Sequence, residues 1–180
     1  MFFLRKSSLE QLPLVMSGVR MGERALQIGV GDQALAGAIA AKVGLSGHAA
    51  MAVSDERQGT KARAAATAAG ALVDVQVTAL DSLPFADDSF DLVVLHAAAV
   101  TVGLADAAAV AILRDSRRVL RSGGRIVTIE HGARPGLMGR LRRPPRPDEG
   151  AAIAALASAG FAVARLLAER EGYRFLEGIK

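Results

Sequence analysis

Two hydrophobic periods alternate along this chain. Short, nearly continuous apolar runs are separated by longer stretches with apolar residues at helical spacing. Leu9 to Val19 predicts a helix, broken or started near Pro13. Arg24 to Ile28 reads as a first strand stopped by Gly29, and Gln33 to Val43 as a small-residue helix suited to close packing on a sheet. Ala49 to Val53 predicts a second strand, Glu56 to Ala69 a helix ended by Gly70, and Leu72 to Thr78 a third strand alternating around Val73, Val75 and Val77. Phe90 to Leu95 is the run expected of a strand buried on both faces. Ala105 to Leu120 carries Val110, Leu113 and Leu120 at helical spacing, with Gly123-Gly124 as its stop, and Arg125 to Glu130 reads as a fifth strand. Such βα repetition predicts a doubly wound, mostly parallel α/β sheet. The pattern then changes to an Arg/Pro/Gly-rich loop, a helix from Ala151 to Ala159, and strands over Phe161 to Glu169 and Tyr173 to Ile179 joined near Glu171-Gly172. Seven strands with a C-terminal antiparallel hairpin are the expected Rossmann-like architecture.

Composition narrows the chemistry. The 180 residues suit one domain. Residues 1–20 are expected as an N-terminal helical lid and residues 134–150 as a basic flexible loop. With no Cys, a disulfide framework, a thiolate metal site and a cysteine nucleophile are excluded. Leu92 to Leu113 is interrupted by His96 and Asp106, and the N-terminal charges follow only four apolar residues, so neither a membrane span nor a secretory signal is expected. A cytoplasmic protein is the plain expectation. The formal charge of +4 draws on five arginines between Arg134 and Arg146. That flap is compatible with an anionic substrate, a nucleic acid or an acidic membrane surface, or with a merely solvated loop. One Tyr, six Phe and no Trp leave no obvious stacking platform, which argues against nucleic acid.

The first strand runs into Gly29-Val30-Gly31-Asp32-Gln33-Ala34 and then a helix, a turn that lets an anion or nucleoside approach a helix N-terminus. A G-x-G-x-x-A reading would suit a nicotinamide dinucleotide, but no Tyr-x-x-x-Lys pair accompanies it. Three further segments separate the readings. Leu83-Pro84-Phe85-Ala86-Asp87-Asp88-Ser89-Phe90-Asp91-Leu92-Val93 resembles the L-P-F-x-D-x-S-F-D-x-V segment of class I S-adenosylmethionine-dependent methyltransferases. Val119-Leu120-Arg121-Ser122-Gly123-Gly124-Arg125 resembles that family's V-L-K-P-G-G-R, and Leu156 to Phe161 its L-x-x-A-G-F. Ala25 to Gly31 sits where the family has V-L-D/E-I-G-x-G. The nearest resemblance is to small ubiquinone/menaquinone-biosynthesis-type methyltransferases.

The resemblance implies S-adenosylmethionine as cofactor, held by Gln27, Gly29, Gly31, Asp55, Leu80 and Asp81, and a small-molecule methyl acceptor. It also exposes departures. Gln27 stands where the family carries an acid that favours the methionine ammonium, and Gln33 where it has a third glycine. Val53 or Asp55 falls at the ribose-binding acid, depending on the anchor chosen. Asp55 is the functional candidate, with a helix N-terminal acid as its structural alternative. The adenine-binding Asp falls on Ala79, with Asp81 two residues on as a substitute or a turn cap. His96 and His131 follow strands four and five, at the end of the sheet where ligands sit, and are candidate general bases. Satisfied loop histidines are the alternative. His48 lies at the opposite end. With these anchors missing, a non-catalytic binding or scaffold protein with a degenerate cofactor site is the alternative to methyl transfer.

Overall fold

A computed structural model describes residues 8–97, 107–131 and 148–180. In chain order these form α1 (Ser8–Met16), β1 (Arg24–Ile28), α2 (Gln33–Val43), β2 (His48–Val53), α3 (Glu56–Ala69), β3 (Asp74–Val77), β4 (Phe90–His96), α4 (Ala107–Val119), β5 (Leu120–His131), α5 (Glu149–Ser158), β6 (Val163–Arg170) and β7 (Tyr173–Ile179). The strands make one sheet in the order β3-β2-β1-β4-β5-β7-β6. The pairs from β3 through β5 are parallel, whereas β7 runs antiparallel to both β5 and β6. The expected doubly wound sheet with a closing hairpin is therefore the observed architecture. The hairpin turns on Glu171 and Gly172, both at positive φ, the backbone that matches the right-handed twist of the flanking strands.

Alternation along the strands distributes the core to both faces. Leu26, Ile28, Val93, Leu95, Ile126 and Leu176 pack on the side of α4 and α5. Ala25, Met51, Leu92, Val94, Val127 and Phe175 pack on the side of α2 and α3, which Leu12, Leu14 and Met16 of α1 also meet. Both faces of the central strands are dry, which is why their sequence is continuously apolar.

Close approach of α2 and α3 depends on small residues. A Cβ added at Gly37 would lie 2.6 Å from the Ala65 carbonyl oxygen and 3.0 Å from the Ala69 methyl. Gly37→Ala gains helix propensity but forces two backbones apart, so a net loss of about 1–2 kcal/mol is expected, read as a lower urea midpoint at unchanged m-value. An unchanged midpoint would show that the helices separate freely.

Among the boundaries that differ from those expected, three have a visible cause. The third strand shrinks to Asp74–Val77, because it is a sheet edge and Leu72 points into solvent. The fourth helix stops at Val119, one residue before the expected Leu120, and the fifth strand starts at Leu120 rather than at Arg125. Leu120 already pairs with Phe90, the β4–β5 register then shifts between Phe90 and Leu92, and Gly123 takes positive φ inside the β5 span. The sixth strand starts at Val163, because Gly160 and Phe161 close α5: their amides donate to the carbonyls of Ala157 and Leu156.

The Leu83–Asp87 segment is tied to α4 by a polar clamp. Arg118 donates to the carbonyls of Leu83 (2.9 Å) and Phe85 (2.8 Å) and to Asp87 (2.7 Å) and Asp115 (2.6 Å). Asp115 in turn accepts from the Leu83 amide at 2.6 Å. Phe85 meets Phe90 edge to face, with centroids 5.1 Å apart.

Candidate functional site

The strand order reverses direction between β1 and β4, so their carboxyl ends define the crevice where ligands sit in open α/β sheets. Ile28 is followed by Gly29, at φ +73°, whose amide donates to the Ala52 carbonyl at 2.8 Å. That left-handed residue turns the chain off the sheet at a place where a side chain would be strained. Asp32 then caps α2, its carboxylate accepting from the amides of Ala34 (2.8 Å) and Leu35 (3.1 Å). Gln33, in the third-glycine position, reaches across to donate to the Lys61 carbonyl at 3.2 Å.

Under this turn lies a polar pair inside an otherwise apolar layer. Gln27 is 1% exposed and His96 3% exposed. The Gln27 amide nitrogen donates to the Ala36 carbonyl at 2.9 Å, and its oxygen lies 3.0 Å from His96 Nε2. A carbonyl only accepts, so the Ala36 contact fixes which end of the Gln27 amide faces His96. His96 Nε2 must therefore carry the proton, and Nδ1 is left as a bare acceptor. Burial pushes the His96 pKa down to about 4, and the Asp32 carboxylate opposes that shift only in part. The imidazole is neutral at physiological pH. A Cβ built on Gly31 would lie 3.7 Å from His96 Nδ1 and 3.6 Å from its Cβ, so the bare edge faces the glycine turn.

The second wall comes from the β2–α3 connection. Val53, the strand's last residue, is buried in the core, whereas Asp55 is exposed and caps α3. Its carboxylate accepts from the Gln58 amide (2.8 Å), the Gln58 side chain (3.2 Å) and the Ser54 hydroxyl (3.1 Å). The Gln58 amide bond, more than any other contact, holds the carboxyl below its ordinary range. Gln58 also accepts from the Val30 amide at 3.4 Å, which joins this wall to the glycine turn.

The structure thus brings Gln27, Gly29, Gly31 and His96 together at the crevice and links Asp55 to them through Gln58. Leu80 instead packs into the core beside Leu83, and Asp81 is exposed on a turn closed by the Ser82 amide on the Ala79 carbonyl. His131 ends β5 opposite Tyr173, and its side chain lies outside the described residues, as does the arginine flap from Arg134 to Pro147. His48 opens β2 at the other end of the sheet, its ring 6.1 Å from Phe90. Sequence reasoning passed over Gln58, although Asp55 and Gln58 have the spacing of a capping box. It also passed over Asp32, whose place before an apolar helix is an N-cap signal.

Residues 26–128 match the model of the methyltransferase domain family. The chain belongs to that family: it is a class I, S-adenosylmethionine-dependent methyltransferase by domain and fold. A SAM-dependent methyltransferase from Aquifex aeolicus superposes with a TM-score of 0.75 at 17% identity, over 97% of this chain and 93% of that one. The YcgJ protein of Bacillus subtilis gives 0.69 at 19%, over 95% and 97%. A SAM-dependent O-methyltransferase from Thermotoga maritima gives 0.68 at 16%, over 100% and 67%. No curated protein matches this sequence. At these identities the solved structures establish the fold, and the family match carries the class. Among the described residues no helix is long and apolar enough to cross a membrane, and no His, Asp and Glu cluster could hold a metal ion.

Proposed function

We propose that this protein transfers a methyl group from S-adenosylmethionine to a small-molecule acceptor. The observation that carries the reading is the polar pair at the β1/β4 switch point, where the unprotonated His96 Nδ1 faces the glycine turn. An unprotonated ring nitrogen beside a helix N-terminus suits a ligand that presents both a donor and an anion, as the amino-acid portion of the cofactor does. S-adenosylmethionine, when bound, supplies an electrophilic methyl group, and attack on it is an in-line displacement. The protein's contribution is then positioning and exclusion of water more than proton transfer. The glycine turn and the Asp55–Gln58 wall position the cofactor, with Asp55 proposed for the ribose hydroxyls and the Leu80-Asp81 turn for the adenine.

His96, held neutral, is a hydrogen-bond acceptor before it is a base. Where the acceptor atom must lose a proton, His131 at the end of β5 is the residue proposed to take it. The departures that suggested a scaffold protein are built into the fold: Gln27 and Gln33 both make specific hydrogen bonds.

Calorimetric titration with S-adenosylmethionine and S-adenosylhomocysteine tests the reading, and micromolar binding of both is expected. No heat and no thermal shift at millimolar ligand would overturn it. Asp55→Ala should weaken both about tenfold while costing little stability, since a fully exposed cap contributes only modestly to folding. An unchanged affinity would leave Asp55 as a helix cap only.

A further inference from the structure

The Gln27 side chain has both its polar ends engaged inside the protein, one by Ala36 and one by His96. Each of these groups is thus already committed to one partner, although the amide keeps a second N–H and the oxygen a second lone pair. The geometry points to a transfer of duty: Gln27 locks His96 as the Nε2–H tautomer, and His96 Nδ1 accepts a hydrogen bond from the ammonium of the cofactor's methionine portion. This rests on the methyltransferase reading and deepens it. The ammonium contact that an acid at position 27 would make is reached here through a neutral imidazole on the neighbouring strand.

Three observations support this choice of ligand group. Nδ1 in this tautomer only accepts, so it excludes a carboxylate and selects an N–H or O–H donor. His96 is buried among apolar neighbours, where a charge-assisted bond to a neutral ring is stronger than in water. Asp32 lies close enough for its charge to act on the ring, and it lends the spot a negative potential that favours a cation over a neutral hydroxyl. Gly31 stands against the imidazole edge without a side chain of its own, and a Cβ there would lie 3.7 Å from Nδ1. Gln27 is thus a positioning residue, and His96 the group that touches the cofactor.

His96→Gln separates the two duties, because a glutamine amide can still donate to Gln27 while the Nδ1 acceptor is lost. Two probes are titrated: S-adenosylhomocysteine, which carries the amino-acid portion, and methylthioadenosine, which lacks it. The wild type should bind both. In His96→Gln, S-adenosylhomocysteine should weaken roughly ten- to a hundredfold, with methylthioadenosine unchanged within about twofold. Equal weakening of both probes, or of neither, overturns the inference and leaves the methyltransferase reading standing. Failure of the wild type to bind either probe overturns both.

A measurement on the unmutated protein covers the case of a variant that does not fold. In nitrogen NMR of histidine-labelled wild type, the His96 Nδ1 signal should be that of an unprotonated ring nitrogen. It should move upfield with S-adenosylhomocysteine and stay in place with methylthioadenosine. A protonated Nδ1 in the free protein, or the same shift with both ligands, would overturn the assignment.

Discussion

Between pH 7 and pH 5 the unfolding free energy of the wild-type protein should fall by about 2 kcal/mol, and by about 3 kcal/mol as pH approaches 4, from the burial of His96 alone. The native pKa is about 4 and an unfolded histidine titrates near 6.5. In that window the unfolded chain binds a proton that the native state excludes, so stability rises with pH and is lost on acidification. Desolvation causes the shift, and Asp32, whose charge reaches the ring, works against it. The lowered carboxyls of Asp55 and Asp91 lose their contributions further down, as pH falls through their own depressed values, and do not confuse the window. Urea unfolding at several pH values, with His96→Asn as reference, checks this. The slope should be present in the wild type and largely absent in the variant. Parallel profiles would mean that His96 titrates normally and that the ring is wetter than its surroundings imply.

How much of this was legible in the sequence depends on whether the signal is local. The bounds of β1, α2 and α3 agree with expectation residue for residue, because glycines at 29, 44 and 70 end the first strand and the two helices. The edge strand β3 was overextended because alternation does not say whether a strand has a neighbour. The long β5 was misjudged because Leu120 pairs before the Gly-Gly turn, a register shift that only the partner strand reveals. The site divides in the same way. Gly29 and Gly31 announce a turn, and the family resemblance places it. Whether Val53 or Asp55 faces the crevice was ambiguous, and the structure buries the first and caps a helix with the second.

The Gln27–His96 pair is the part the sequence concealed. Its members are 69 residues apart, and each alone has an ordinary explanation. A glutamine in place of an acid looks like decay, and a histidine after a strand looks like a base. Only the Ala36 carbonyl, which fixes the amide and through it the tautomer, turns two departures into one device. The lesson for reading such chains is physical: a substituted polar residue at a buried position has to be assessed with its hydrogen-bond partner.

Restoring the family's acid at that position should therefore damage the protein. Gln27→Glu puts an acceptor where the Ala36 carbonyl needs a donor, and a carboxylate where water is absent. A loss of about 3 kcal/mol in stability at pH 7.5 is expected. The damage should be pH-dependent in the opposite sense to the wild type. When protonated, the introduced carboxyl can donate its O–H to Ala36 and accept from His96 as the amide does, and its native pKa is raised by burial. The penalty relative to wild type is then full above that raised pKa and shrinks as pH falls towards 5. Binding should move the same way. When ionised, the introduced carboxylate draws a second proton onto His96, converting Nδ1 from acceptor to donor, and S-adenosylhomocysteine affinity at pH 7.5 should drop about tenfold or more. If affinity rises instead, the carboxylate at position 27 is itself the ammonium anchor, and Gln27 is a lost contact with no compensating partner. The two accounts predict opposite signs for one titration of a single variant, because they differ only in whether the acceptor at the switch point belongs to residue 27 or to residue 96.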